Sequence, residues 1–275
     1  MKVVLFCGGL GTRLRGHKSD KPKPLVEIGG YSLLQHIMRY YAFHGHTDFL
    51  LCLGYRADAI IDHFRALGGE WLPTIAGARA TQSIRFVDSA TGRWTITFID
   101  TGVDTCIGQR LRLAQDFLQG EQLFLANYAD GLSDVPLHNI VDAMVEQPLA
   151  IGAMVAVKPT QSFHYVDRDP AGMVTGIASS TDIDARINGG YFVFRTSIFD
   201  YIGEGEDLVD QPFQRLIEQR KLMAYDYDGF WRACDTLKDV QELEAVVASD
   251  GAAPWEVWRT PDLAPDVAMP VVNFS

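Results

Sequence analysis

The chain has 275 residues, of which 47% are hydrophobic and 21% charged, enough for a sizeable core and one large domain. Its formal net charge of −11 argues against a broad surface for nucleic acid or an anionic membrane. Any phosphate site must therefore be a local basic pocket in a negative body.

Residues 2–30 read KVVLFCGGLGTRLRGHKSDKPKPLVEIGG. Val3 to Cys7 is an apolar, β-branched run bounded by glycine and reads as a buried strand. Gly8-Gly9-Leu10-Gly11-Thr12-Arg13 follows. Glycines let the backbone turn sharply, and successive N–H groups aimed at one point form an anion-binding nest. Arg13, Lys21 and Lys23 bring positive charge to the same segment, and the prolines of Lys-Pro-Lys-Pro stiffen the chain that carries the lysines. Together they describe a site for a phosphorylated polyanion. A plain turn is the bland alternative. A dinucleotide loop would need a third glycine where Leu14 stands, and a P-loop would need Gly-Lys-Ser/Thr.

Further along, residues 32–44 have apolar positions at helical spacing, with Ser32 as N-cap and Gly45 as the stop. Residues 48–53 read as a strand and 56–67 as a helix with Ile60, Ile61 and Phe64 on one face. Residues 68–93 are less regular, with a short strand expected over 84–87. Residues 94–100 alternate as a strand, 108–118 form a helix, and 123–128 a strand ending at Ala129-Asp130-Gly131. A helix over 138–145 and a strand over 150–157 come next. Residues 165–167 and 173–177 make a hairpin, and 187–194 a turn into a strand. A helix over 211–220, a strand over 222–226 and a closing helix over 237–248 complete the pattern. The expected fold is α/β, doubly wound, with a mostly parallel mixed sheet. Trp255 and Trp258 point to an apolar surface covered by another subunit or packed on the chain's own body. The tail from Thr260 is not helical.

The four cysteines (Cys7, Cys52, Cys106, Cys234) show no C-x-x-C pair and read as buried thiols of a reducing cytoplasm. The strand that begins at Val3 leaves no room for a leader, and no apolar run approaches the ~20 residues of a spanning helix. His44 and His46 read as capping or surface residues. The D-x-D triplets at Asp167-Asp169, Asp182-Asp184 and Asp226-Asp228 fit ordinary turn chemistry. Asp130 sits where open α/β sheets place ligands. It and Asp235 could jointly hold a hard divalent cation. Alternatively each is a turn residue, with Asp235 capping the last helix.

G-G-L-G-T-R-L, then K-P-K-P-L-V-E-I-G-G and H-I-M, resembles the sugar-1-phosphate nucleotidylyltransferases, and within them the glucose-1-phosphate cytidylyltransferases. The likeness runs from residue 1 to about 258, implying one Rossmann-like (GT-A-like) nucleotidyltransferase domain there and a separate tail over 259–275. It implies transfer of a nucleoside monophosphate from an NTP, CTP favoured, to a sugar 1-phosphate, with release of pyrophosphate. Arg13 would steady the pyrophosphate, Lys23 the α-phosphate or the attacking phosphate, and Asp130 and Asp235 would hold Mg²⁺. Leu5, Cys7, Gly8, Gly9, Gly11 and Thr12 would lie against the nucleotide. Thr101, Gly102 and Arg110, from I-D-T-G and G-Q-R-L, match the stretch near the base. Tyr128, Gly131, Asn188, Gly189, Gly190 and Trp231 match the sugar side.

One departure stands out. The family's Glu-Lys-Pro, whose lysine grips the sugar phosphate, is replaced here by Ala178-Ser179-Ser180-Thr181. Lys158 or Arg186 is the expected substitute cation, and the acceptor could be another sugar phosphate or a polyol phosphate. The alternatives are a uridylyl or thymidylyl transferase, or a paralogue that binds without turnover. No nucleic-acid or membrane partner is expected, and relatives imply a homo-oligomer.

Overall fold

The computed structural model describes residues 1–9, 21–73, 81–160, 164–179, 185–249 and 251–259. In chain order the strands are β1 (Val3–Phe6), β2 (Glu27–Ile28), β3 (Tyr31–Ser32), β4 (Asp48–Leu53), β5 (Glu70–Trp71), β6 (Thr81–Asp88), β7 (Gly92–Asp100), β8 (Leu123–Asn127), β9 (Gly131–Ser133), β10 (Gly152–Val157), β11 (His164–Arg168), β12 (Val174–Ser179), β13 (Ile187–Arg195), β14 (Leu222–Tyr227) and β15 (Trp231–Ala233). The α-helices are α1 (Leu33–Phe43), α2 (Ala57–Ala66), α3 (Ile107–Leu113), α4 (Leu137–Glu146), α5 (Gln211–Glu218) and α6 (Leu237–Ala248).

Nine strands make the central sheet, in the order β14-β10-β13-β8-β1-β4-β7-β6-β5. All but β13 and β6 point the same way, so the sheet is mixed and mostly parallel, as the sequence pattern implies. The side-chain period of two splits the interior. Val3, Leu5, Phe49 and Leu51 face a core shared with α1, α2, α4 and α6. Val4, Phe6, Leu50 and Cys52 face a second core closed by α3 and α5. This is the three-layer arrangement of a doubly wound fold.

Several boundaries differ from the sequence reading for local reasons. The stretch expected to be irregular before residue 93 holds β6, an eight-residue strand antiparallel to β7. Its exposed positions disguise it: Ile84 and Phe86 are buried while Gln82, Arg85 and Val87 face out. The helix expected over 108–118 breaks into α3 and a 3₁₀ turn at Gln115–Leu118. Asn188-Gly189-Gly190 lies inside β13, where the register against β10 shifts at a bulge, and is no preceding turn. The short ribbon pairing β9 with β15 carries no pattern long enough to see in sequence.

Trp255 is buried against the chain's own body, which removes it as a mark of a subunit interface. Its indole Nε1 donates to Nδ1 of His36, whose Nε2 faces the carbonyl of Ile28 at 2.8 Å. Both ring nitrogens are thus committed to a neutral imidazole. His46 is buried, contrary to the expected capping or surface role, while His44 does cap α1. Among the described residues no helix is long and apolar enough to cross a membrane. The tail 260–275 lies outside the described residues.

Burial dominates these three rings and lowers their pKa, His36 and His44 to about 4 and His46 to about 3. Unfolded histidine protonates near pH 6.5. Between these limits the unfolded chain binds protons that the folded chain refuses, so stability falls as pH drops from about 6.5 toward 4. His36 alone contributes about 3 kcal/mol to that loss. Urea midpoints at pH 7.5 and 4.5 should differ accordingly, with a shallower slope for His36→Gln; a flat midpoint in the parent chain would show these rings to be solvated.

Candidate active site

The end of β1 is braced by a buried cation. Arg110, 2% exposed on α3, donates to the carbonyls of Leu53 (3.2 Å), Gly8 (3.1 Å) and Val103 (3.0 Å) and to Oγ1 of Thr101 (2.6 Å). One guanidinium therefore ties the carboxyl ends of β1, β4 and β7 together. Only glycine fits at position 8, because a Cβ there would lie 1.9 Å from Arg110 Nη1. The side chains of Leu5 and Cys7 are in the core, so these residues can meet a ligand only through their backbone. Thr101 is also buried, its Oγ1 donating to the Leu53 carbonyl, and Gly102 takes the left-handed φ of 86° that turns the chain away. Gly11, Thr12 and Arg13 lie outside the described residues.

Lys23 opens a 3₁₀ turn, Lys23–Leu25, flanked by Pro22 and anchored by buried Pro24 and Leu25. Proline fixes φ on both sides, so little backbone freedom remains to be lost when the lysine is held. Its Nζ lies 3.0 Å from Asp130 Oδ2 and 2.5 Å from Asp235 Oδ1. Residues 107 and 212 positions apart from it in sequence thus meet at one nitrogen. Burial opposes the ammonium charge, but the two carboxylates outweigh that and hold the Lys23 pKa above its ordinary value. Desolvation likewise raises Asp130, with Lys23 pulling the other way.

Each aspartate is placed by a specific local device. Ala129, in the left-handed region at φ 58°, donates its N–H to Oδ1 of Asn127 at 2.7 Å, turning the chain after β8 so that Asp130 leaves the sheet. The Asp130 carbonyl accepts from Cys234 N–H at 2.8 Å, which locks the two acidic segments side by side. Asp235 does not cap the last helix. Thr236 does, in a reciprocal box with Asp239, whose Oδ2 also accepts the Asp235 N–H at 2.9 Å. The Asp235 carboxylate is thereby kept for the site.

The residues expected on the sugar side stand together. Asn188 donates to the Tyr128 hydroxyl at 3.1 Å, and Trp231 Nε1 donates to the Gly189 carbonyl at 2.8 Å. Gly190 has φ 77°, and a Cβ there would meet Tyr128 at 2.8 Å. Gly131 packs against the Trp231 indole. At Trp231 lies a cleft of 270 Å³ walled by residues 157–160, 227–229, 231 and 232. Lys158 lines it; Arg186 stands behind it, paired to Asp226 at 3.3 Å and Asp228 at 3.0 Å. Arg232, absent from the sequence-based set, also lines the cleft. Its place three residues before Asp235 was the available signal.

Two carboxylates converging on one point suit a hard cation whose remaining ligands are water and phosphate oxygens. Among the described residues no group of three or more His, Cys, Asp or Glu side chains is arranged to hold a metal ion, so protein carboxylates alone do not complete a shell here.

Steric reasoning separates the two described glycines of the loop. Gly8→Ala should cost roughly 1–3 kcal/mol by overpacking against Arg110. Gly9→Ala, with nothing described within 4 Å of its Cβ, should leave the thermal midpoint almost unmoved. Equal melting temperatures for the two variants would contradict the brace.

The nucleotidyl transferase family model matches residues 2–249. The chain is 34% identical over 261 residues to the glucose-1-phosphate cytidylyltransferase of Salmonella typhi, covering 94% of this chain and all of that one. It is 26% identical over 248 residues to a mannose-1-phosphate guanyltransferase of Candida albicans, spanning 87% of this chain and 62% of that one. The crystal structure of HddC from Yersinia pseudotuberculosis shares the fold, with a TM-score of 0.61 and 19% identity over 89% of this chain and 98% of that one. The glycine turn under Arg110, the Lys23–Asp130–Asp235 constellation and this match from end to end of the folded core agree: the chain belongs to the nucleotidyl transferase family.

Proposed function

We propose that this chain transfers a cytidylyl group from CTP to a sugar 1-phosphate. The observation that carries the reading is the meeting of Lys23, Asp130 and Asp235 at the carboxyl edge of the sheet, beside the glycine turn. The nearness of the cytidylyltransferases among relatives supports CTP over other nucleotides.

In the reaction an acceptor phosphate oxygen forms a bond to the α-phosphorus of the NTP, the bond from that phosphorus to the bridging oxygen breaks, and pyrophosphate leaves with the electron pair. Such transfers are accelerated by positioning and by charge stabilisation. Asp130 and Asp235 would hold Mg²⁺, which supplies charge neutralisation at the α-phosphate. The Lys23 ammonium would draw the two phosphates toward each other, and the backbone N–H groups of Gly8, Gly9 and Gly11 would receive the nucleotide's phosphates. Arg13 would steady the leaving pyrophosphate. Thr101, Gly102 and Arg110 shape the floor nearest the base, and Tyr128, Asn188, Gly189, Gly190, Gly131 and Trp231 the acceptor side. We place the enzyme in the cytoplasm, on the strength of four unpaired thiols. We also read it as a homo-oligomer, because the hairpin β11–β12 exposes Tyr165, Val166, Val174 and Ile177.

Pyrophosphate release from CTP, Mg²⁺ and glucose 1-phosphate tests the reading, with UTP and dTTP as competitors. Lys23→Met, Asp130→Asn and Asp235→Asn should each lower kcat by about 10²-fold or more, the loss expected for one preorganised electrostatic group. A chain that binds CTP and releases no pyrophosphate with any sugar phosphate would be a binding paralogue instead. Size-exclusion with light scattering checks the assembly; a monomer at micromolar concentration would discard the oligomer.

A further inference from the structure

The acceptor end of the cleft poses a charge problem. A phosphomonoester dianion needs a cation there, and the strand that would supply the lysine carries Ala178 and Ser179 instead. Arg186 was one expected substitute. Its guanidinium is already committed: to Asp228 through both carboxylate oxygens (3.0 and 3.3 Å), to Asp226, and to the carbonyls of Ala156 (3.3 Å) and Tyr227 (3.1 Å). Arg186 is a latch that joins the end of β10 to the end of β14 and neutralises acidic charge behind the cleft.

Two cations are left facing it. Lys158 is 59% exposed at its side chain, and its Nζ is 3.8 Å from Asp228 Oδ1, too far for a hydrogen bond and onto a carboxylate that Arg186 already holds. Arg232 is exposed and touches only the carbonyl of its neighbour Trp231, at 3.4 Å; among the described residues it has no acidic partner. With Lys158, Arg186 and Arg232 set against Asp226 and Asp228, the cleft keeps an excess of positive charge inside a chain of net charge −11. Arg232 is also near the chemistry. It stands opposite Leu132 in the β9–β15 ribbon, two residues from Asp130 along one strand and three from Asp235 along the other.

We infer that Lys158 and Arg232 grip the phosphate of the acceptor. The inference rests on the transferase reading above. Both side chains line the same cleft of 270 Å³. Tyr227 and Trp231 also line it, aromatic side chains that can pack against the acceptor's sugar. A planar guanidinium offers a phosphate two parallel N–H donors, and the lysine adds a point charge.

Calorimetric titration of the full chain with glucose 1-phosphate, glycerol 3-phosphate and inorganic phosphate tests the grip without any turnover. The parent chain should bind glucose 1-phosphate, more tightly than glycerol 3-phosphate. Lys158→Ala and Arg232→Ala should each weaken glucose 1-phosphate and inorganic phosphate by about ten-fold or more, the effect of losing one charge-assisted contact. Arg232→Lys, which keeps the charge and loses the fork, should fall between. No binding by the parent chain, or unchanged affinity in both alanine variants, overturns the grip. Titration with CTP and Mg²⁺ is read separately. Its failure would sink the transferase reading and leave the phosphate result standing.

Discussion

The site depends on one ammonium group held between two carboxylates. Lys23, Asp130 and Asp235 come from a proline-bounded turn, the exit of β8 and the entry to α6. Bringing like charges together is unfavourable unless a cation sits between them, and Lys23 supplies it while shielded to 14% side-chain exposure. That contact ties the Lys23 turn to the exit of β8 and the approach to α6. It also fixes how the β9–β15 ribbon closes over it, because the Cys234–Asp130 backbone bond shares the same two segments.

Around this centre the fold divides labour between charges that hold structure and charges that face ligand. Arg110, Arg186 and Asp239 are each saturated by protein partners. Arg110 spans three parallel strand ends, Arg186 two strand exits, and Asp239 a helix start. With the local backbone and acidic demands met by these residues, Lys158 and Arg232 line the cleft and the Asp235 carboxylate pairs with Lys23. Adjacent residues of one charge type thus do different work. Asp235 and Asp239 are separated by a single helical turn, and the threonine cap between them decides which is which.

Much of this was readable from residues alone. The β1 run, the capped α1, the strand at 48–53 and the closing helix carry strong periodicity and stop signals, and they stand where the pattern puts them. Lys23, Asp130 and Asp235 were legible because their flanking motifs are long. The misses have physical causes. β6 pairs at the rim of the sheet with one face wet, so its apolar signal is halved. The three-residue ribbon strands draw their order from partners a hundred residues away, which no local window sees. The occupancy of Arg186 by Asp226 and Asp228 is a tertiary fact, and a sequence shows the charges without showing whom they hold.

The sheet repeats one small manoeuvre on neighbouring strands. Asn127 and Asn188 each turn a side-chain oxygen onto the N–H two residues ahead, at 2.7 and 2.9 Å, and the receiving residues Ala129 and Gly190 both adopt left-handed backbone. β8 and β13 are hydrogen-bonded partners, with Asn127 opposite Tyr191. The twin kinks therefore act as a single crease folded across two strands. A crease of this sort makes the rim stiff where a loop would sag. Substrate preference in such a protein can drift through the side chains that hang from the crease, while the crease itself is barred from accepting bulky branched residues.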